Sequence, residues 1–291
     1  MRFLDSTKNY WELIKPKIVL LLVFTGVAGM LVAYKETGSA LSPLQLFVGT
    51  AAIFLGSAGA EVLTNYHDRD IDSVMKRTNK RPIPSGRISA RNALAFGFAA
   101  SVASVLLAYW FNWLAALLMV VGLIDNVVVY SLWLKRRSWV NIILGGISGG
   151  VPVLVGYAAV AGTLSPLAVF MCALVVAWIP THIWSLAIKT RKDYQQAGIP
   201  MLPVVVSMRV ATVCIAFTSS LLAVFSLSIL LVTAVSPFYV VSAAACGALL
   251  LGYSAKLAID RTESAAWTLF KITSPYLTII FAVLILNFWV F

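Results

Sequence analysis

The chain has 291 residues, 60% of them hydrophobic and 11% charged, with a mean hydropathy of +0.92 and a formal net charge of +11. A soluble domain with a solvated surface does not have this composition, so the chain reads as polytopic in a membrane bilayer, and as all-α from the lengths of its apolar runs. The positive charge does not point to nucleic acid, because nearly all of it falls on one side of that membrane once each Lys and Arg is assigned to a loop.

In chain order, apolar runs near the ~20 residues needed to cross a bilayer predict nine transmembrane helices. They span 17–34, 43–66, 92–110, 113–134, 140–160, 166–188, 208–232, 237–256 and 270–290. Only Lys35 falls in a loop after an odd-numbered helix. The other cations lie in the N-terminal segment, in the loops after the second, fourth, sixth and eighth helices, or at bordering helix ends. By the positive-inside rule the N-terminus is cytoplasmic and the C-terminus outside, in a multi-pass plasma-membrane protein. The first run, between a basic start and the small residues Gly38, Ser39 and Ala40, has some features of a signal peptide, but its full spanning length and the charge alternation favour a retained helix. With no linker or low-complexity tract, residues 1–291 read as one domain with cytoplasmic cap loops at about 67–91 and 189–207. Cys172, Cys214 and Cys246 all sit in apolar runs without CxxC spacing, which predicts packing residues rather than a disulfide or zinc site.

The first cap follows the second helix. On a continuing helix Asn65, Asp68 and Asp72 fall at i, i+3 and i+7 and share a face, while Asp70 points elsewhere. Oxygen ligands without His or Cys suit a hard cation, and Mg²⁺ is usually held by one or two carboxylates plus the phosphates of a substrate. Lys76, Arg77, Lys80 and Arg81, just downstream, offer charge-assisted bonds to the remaining phosphate oxygens. The pattern therefore predicts a metal–diphosphate site. A basic loop whose acids merely pair with its own cations is the plain alternative, and it has no use for a helically phased Asn/Asp face.

Glu61, Asp125, Asn126 and Tyr130 fall within or beside predicted spans. A carboxylate there must face the interior, and helix-to-helix hydrogen bonding explains it as readily as catalysis. In Leu144–Tyr157, Gly145 with Gly149 and Gly146 with Gly150 have the spacing of close helix contacts. The second cap offers Lys189, Arg191, Lys192 and Asp193 to the same ligand, against the alternative of an ordinary snorkelling basic helix end. His182 precedes Lys189 and Asp193 by seven and eleven residues, on a shared helix face. It lies ~10 Å deeper, an intramembrane candidate for axial ligation or proton transfer, unless it simply bonds a neighbouring carbonyl.

The two caps echo each other. Pro82, Ser89, Arg91 and Ala93 recur at a constant offset as Pro200, Ser207, Arg209 and Ala211. This predicts two pseudo-repeated four-helix halves plus one helix, with the site at their interface.

Asn65, Asp68 and Asp72 followed by "MKRTNKRP" resemble the NxxDxxxD…RTxxRP signature of the UbiA superfamily of intramembrane prenyltransferases. "YSLWLKR" (130–136), "GGISGGVPVLVGY" (145–157), "WIPTHIW" (178–184) and "DYQQAGIPMLPVV" (193–205) are similar to its heme-farnesylating branch. The resemblance runs from the first helix through the seventh. It implies nine helices, two Asp-containing cytoplasmic caps and a Mg²⁺-dependent transfer of farnesyl from farnesyl diphosphate to the 2-vinyl group of heme B. By position, it implies that Asn65, Asp68, Asp72 and Asp193 hold Mg²⁺, while Lys76, Arg77, Arg81, Lys189 and Lys192 hold diphosphate. Tyr130 and His182 would bind the ligand, and Asp68, Asp72, Asp193 and His182 would be catalytic. Heme A synthase or heme-copper oxidase assembly would stand downstream. Two departures touch the acceptor side. Ala197 stands four residues after Asp193, where many superfamily members carry a second acid, as it commonly does in the heme branch; Thr181 and Ile183 replace a Pro and a Phe frequent in that branch. The same fold and diphosphate motif also serve quinone-precursor and glycerol-phosphate acceptors, and a transporter with inverted repeats or a membrane assembly subunit is the reading from another class.

Overall fold

The computed structural model describes residues 3–290, so residues 1, 2 and 291 of the expected domain lie outside the described residues. Among the described residues all regular structure is helical, and nine helices are long and apolar enough to cross a bilayer. They are α1 (Pro16–Thr37), α2 (Pro43–His67), α3 (Ala90–Phe111), α4 (Trp113–Leu134), α5 (Asn141–Ala161), α6 (Pro166–Lys189), α7 (Met208–Leu231), α8 (Pro237–Asp260) and α9 (Glu263–Val290). All nine predicted spans are present. The largest differences are at α8, which runs four residues further, to Asp260, and α9, which begins seven residues earlier, at Glu263.

The helix starts are written locally. Ser42, Ser165 and Ser236 each accept a backbone N–H at the head of α2, α6 and α8, and each is followed by a proline whose missing N–H costs nothing there. The repeated residues have a counterpart too. Ser89 accepts from Asn92 N at 3.2 Å and Ser207 from Val210 N at 3.3 Å, so each caps the helix that leaves its loop. Ala93 and Ala211, one turn on, are both fully buried.

Helices adjacent in the chain are adjacent in space; α1 also packs on α5 and α9, and α6 on α9. The α1–α5 seam is a backbone contact: a Cβ at Gly156 would lie 2.0 Å from Gly26 O, and one at Gly29 2.3 Å from Val153 O. Glycine at these positions lets the helices approach to van der Waals contact. Outward, Phe47, Phe98, Leu106, Trp110, Val224 and Leu231 are exposed large apolar residues, which a lipid environment accommodates and water does not. The three cysteines are unpaired, as packing residues are.

Regularity fails at four places that bear on the site. α2 does not continue through the motif: it ends at Asp68 (φ −87°, ψ 4°), and a short helix, Arg69–Val74, restarts. Freed carbonyls at this end are taken by side chains, Tyr66 O by Arg69 at 2.7 Å and His67 O by Arg136 at 2.9 Å. α6 likewise stops at Thr190 before a short helix, Arg191–Gln196. α4 widens into a π-helix over Asp125–Leu134, and α5 is interrupted at Gly145 and Gly146. A further helix, Phe3–Leu13, precedes α1 and was not expected from the sequence.

Candidate active site

The bend at Asp68 leaves the motif side chains close together. Asn65, Asp68 and Asp72 are 3%, 2% and 4% exposed, whereas the Asp70 side chain is 62% exposed and turned away. Each acid has its own cation. Asp72 accepts from Arg81 at 2.7 Å, and the same guanidinium nitrogen lies 3.4 Å from Asn65 Oδ1. Asp68 Oδ2 accepts from Lys135 Nζ, at the end of α4. Asp70 takes both Nη atoms of Arg136 at 2.7 Å. Hydrogen bonding to Arg136 holds the Asp70 carboxyl well down, at about 2, despite some opposing burial. At Lys135 burial works against the ammonium, but Tyr130 and Asp68 outweigh it and raise the group above the usual lysine range.

Asn65 is oriented from the opposite direction. Its Nδ2 donates to Leu13 O at 2.7 Å, which leaves Oδ1 toward Arg81 and the acids. The Phe3–Leu13 helix is itself tied down by Arg87, which bonds Glu12 at 2.6 Å and Asn9 at 2.8 Å. Lys15, which links that helix to α1, has a left-handed backbone (φ 53°) and donates to Glu61 at 2.7 Å. Burial lowers the Lys15 ammonium and Glu61 opposes that.

The second cap reaches the first at one point: Asp193 Oδ2 accepts the Arg77 backbone N–H at 3.3 Å. Lys76, Arg77 and Lys192 are exposed, and Lys189, also exposed, pairs with Glu263 of α9 at 3.3 Å. The break at Thr190 therefore separates what one continuous helix face was expected to join. His182 and Lys189 both meet α9, but Asp193 turns to the first cap. His182 does not touch either cap; its Nδ1 meets Thr273 Oγ1 at 2.6 Å.

Under the caps, α1, α2, α4 and α5 line a mostly apolar, half-open pocket, with Ile53, Gly56, Met119, Val151 and Pro152 among its walls and Ser57, Glu61, Asn126 and Ser148 as its polar groups. Asp125 and Asn126 have structural duties here. Asp125 Oδ2 accepts Ser148 N–H at 2.8 Å, a donor released by the break in α5, and Asn126 accepts from Thr64 at 2.9 Å. Gly145 packs on Tyr130 and Gly149 on Ile179, so these glycines make close contacts.

Lys135 and Lys15 are the site-facing cations that sequence reasoning missed. The signal for Lys135 was the run of three cations ending α4 on the cap side.

The donor set is all oxygen. Asp68 Oδ1 is fully buried and has no hydrogen-bond partner. A buried carboxylate oxygen left unpaired is costly unless a cation meets it. Among the described residues no three His, Cys, Asp or Glu side chains converge. A divalent ion here would thus share its shell with ligand oxygens, which is how Mg²⁺ is usually held. The residues fit that ion.

The profile of the UbiA prenyltransferase family matches residues 22–289. A protein of Desulforudis audaxviator (strain MP104C) named Protoheme IX farnesyltransferase is 45% identical over 99% of this chain and 90% of its own length. Protoheme IX farnesyltransferase 2 of Cenarchaeum symbiosum (strain A) is 43% identical over 96% of this chain and 94% of its own. Among solved structures, a digeranylgeranylglyceryl phosphate synthase superposes with a TM-score of 0.78 at 18% identity, covering 98% of this chain and 99% of that one. A UbiA homolog from Archaeoglobus fulgidus bound to DMAPP and Mg²⁺ gives 0.67 at 18% identity, over 94% and 98%. At these identities the structures establish the fold. The full-length relatives make the chain a prenyltransferase, and the transporter and assembly-subunit readings are set aside.

Proposed function

The chain belongs to the UbiA prenyltransferase family, and from that premise we propose that it transfers a farnesyl group from farnesyl diphosphate to the 2-vinyl group of heme B, giving heme O. The observation that carries the donor half is the first cap: two buried carboxylates and an asparagine, one carboxylate oxygen unpartnered, ringed by cations. The acceptor half rests on the names of relatives that match nearly end to end.

Asn65, Asp68, Asp72 and Asp193 would hold Mg²⁺. When bound, the ion supplies Lewis-acid neutralisation of the charge that builds on the leaving diphosphate. Arg81 and Lys135, already held at the carboxylates, add fixed positive charge around the same oxygens. Lys76, Arg77, Lys189 and Lys192 come to the diphosphate from the exposed side of the caps. The C1–O bond of the donor breaks, and the diphosphate leaves with both bonding electrons. Ile53, Met119 and Val151 line the pocket for the farnesyl tail and keep water from the allylic cation. The terminal vinyl carbon forms the new bond to C1, and water adds to the resulting cation, releasing one proton. No protein nucleophile is needed. The caps lie on the cytoplasmic face of the plasma membrane in this reading. Heme A synthase or heme-copper oxidase assembly would consume the product.

The test is incubation of purified protein with Mg²⁺, farnesyl diphosphate and heme B, beside Asp68→Ala and Asp72→Ala, with mass spectrometry of the heme. A farnesylated, hydrated heme from the parent alone is expected. Prenylation of a quinone precursor or a glycerol phosphate, with heme untouched, would overturn the acceptor and leave the donor site standing.

A further inference from the structure

His182 lies deep in α6 and is held on three sides by α6 and α9. Its ring stacks on Trp178, with centroids 4.3 Å apart and 21° between planes, and on Phe270, at 4.4 Å and 28°. Its Nδ1 is 2.6 Å from Thr273 Oγ1. Which atom carries the proton in that bond follows from the next one. Thr273 Oγ1 also lies 2.7 Å from Phe270 O, and a carbonyl oxygen only accepts. The hydroxyl has one hydrogen, and Phe270 O receives it. The bond from His182 must then be donated by Nδ1–H. Trp178 Nε1 fixes the same turn of α9 by donating to Thr273 O at 2.7 Å.

In a neutral imidazole with its proton on Nδ1, Nε2 carries a bare lone pair, and the second-shell bond sets the tautomer. Among the described residues Nε2 has no hydrogen-bond partner, and the side chain is not fully enclosed. A lone pair of this kind can take a proton or a metal. Taking a proton would make an imidazolium facing two aromatic rings and a hydroxyl already spent, with no carboxylate among its contacts. A neutral ligand to a metal leaves no such unpaired charge.

We propose that His182 Nε2 ligates the iron of the acceptor porphyrin, and that Thr273 is the positioning residue that locks the required tautomer. This rests on the heme-acceptor reading above. No proton is released on ligation, because Nε2 carries none. The aromatic rings on both sides fix the direction of the lone pair, so the iron would be presented from a single edge of the ring.

Three measurements on the full chain in lipid nanodiscs test it. The first is the ¹⁵N spectrum of histidine-labelled protein, assigned with either His182→Gln or His67→Gln. The parent is expected to show a protonated Nδ1 and a bare Nε2 at His182. The second is titration with heme B, read by the optical spectrum of the iron, for the parent, His182→Ala, Thr273→Val and Thr273→Ser. The nitrogen-ligated spectrum should vanish in His182→Ala, heme affinity should fall by roughly 10- to 100-fold in Thr273→Val, and Thr273→Ser should behave as the parent. The third is farnesyl diphosphate binding by each variant, which should stay at the parent level and certifies the fold. An unchanged iron spectrum in His182→Ala, an unchanged affinity in Thr273→Val, or a protonated Nε2 would overturn the inference while the acceptor reading stands. A parent that binds no heme removes both.

Discussion

The two cap loops share sequence landmarks and helix-capping serines, yet they place their charge differently. The first buries Asn65, Asp68, Asp72 and Thr78, and its acids are ion-paired to Arg81 and Lys135. The second contributes one half-buried acid whose contact with the first is a 3.3 Å main-chain bond, and its lysines are exposed. The first cap is thus a preformed charge constellation anchored in the bundle. The second is packed as firmly, with Ile199, Met201 and Leu202 buried in the core, but it carries its lysines on the surface. A repeat in sequence thus holds its charge inside in one loop and outside in the other.

The largest effect should come from Asp68→Ala. It removes a proposed metal ligand and leaves Lys135 buried without its partner, an error that typically costs ~3–5 kcal/mol. Catalysis below detection and a markedly lower melting temperature are expected. The double variant Asp68→Asn with Lys135→Met should recover most of the stability and none of the activity. Asp72→Asn keeps the shape and leaves Arg81 partly in solvent, so a loss of ~10²–10³ in kcat with a smaller stability change is expected. Asp193→Ala tests the contrast from the other side: activity down by ~10- to 100-fold, with stability within ~1 kcal/mol of the parent because only one long hydrogen bond is lost. A melting-point drop as large as that of Asp68→Ala would erase the distinction between the caps.

The smallest effect should be at Asp70. Its carboxyl is held at about 2 by Arg136, so its stabilising pair is complete above the unfolded aspartate value of ~3.9 and is lost as pH falls through about 2. The pair is largely exposed and contributes under ~1 kcal/mol. Acid titration of stability for Asp70→Asn against the parent should differ only in that window. A difference near neutrality would mean that Asp70 belongs to the site.

The spans were legible because each is a nearly continuous apolar run of spanning length, bounded by polar, proline or charged residues, and the Asn65/Asp68/Asp72 cluster because its spacing stays close to helical although α2 ends at Asp68. What stayed hidden lies where the helical period changes. Reading the sequence at 3.6 residues per turn puts Tyr130 and Lys135 on different faces. In the π-helix, Lys135 N bonds Tyr130 O at 2.8 Å, and the ammonium sits over the Tyr130 ring at 5.4 Å from its centroid. That extra width brings Lys135 to Asp68, and no residue type announces it. The break at Thr190 hid the parting of Asp193 from His182 in the same way. The amphipathic Phe3–Leu13 helix was passed over because it is too short and polar to read as a span.

That first helix also bears on how the protein is handled. The carbonyl of Leu13 holds the amide of Asn65, and Lys15 holds Glu61 at the pocket wall, so the segment from this helix into α1 braces the candidate site. An affinity tag fused ahead of Phe3 would load that brace directly. A tag after Val290, at the far end of α9 from the caps, would not, and the two fusions compared in one assay would report how much of the turnover depends on a tether that carries no chemistry of its own.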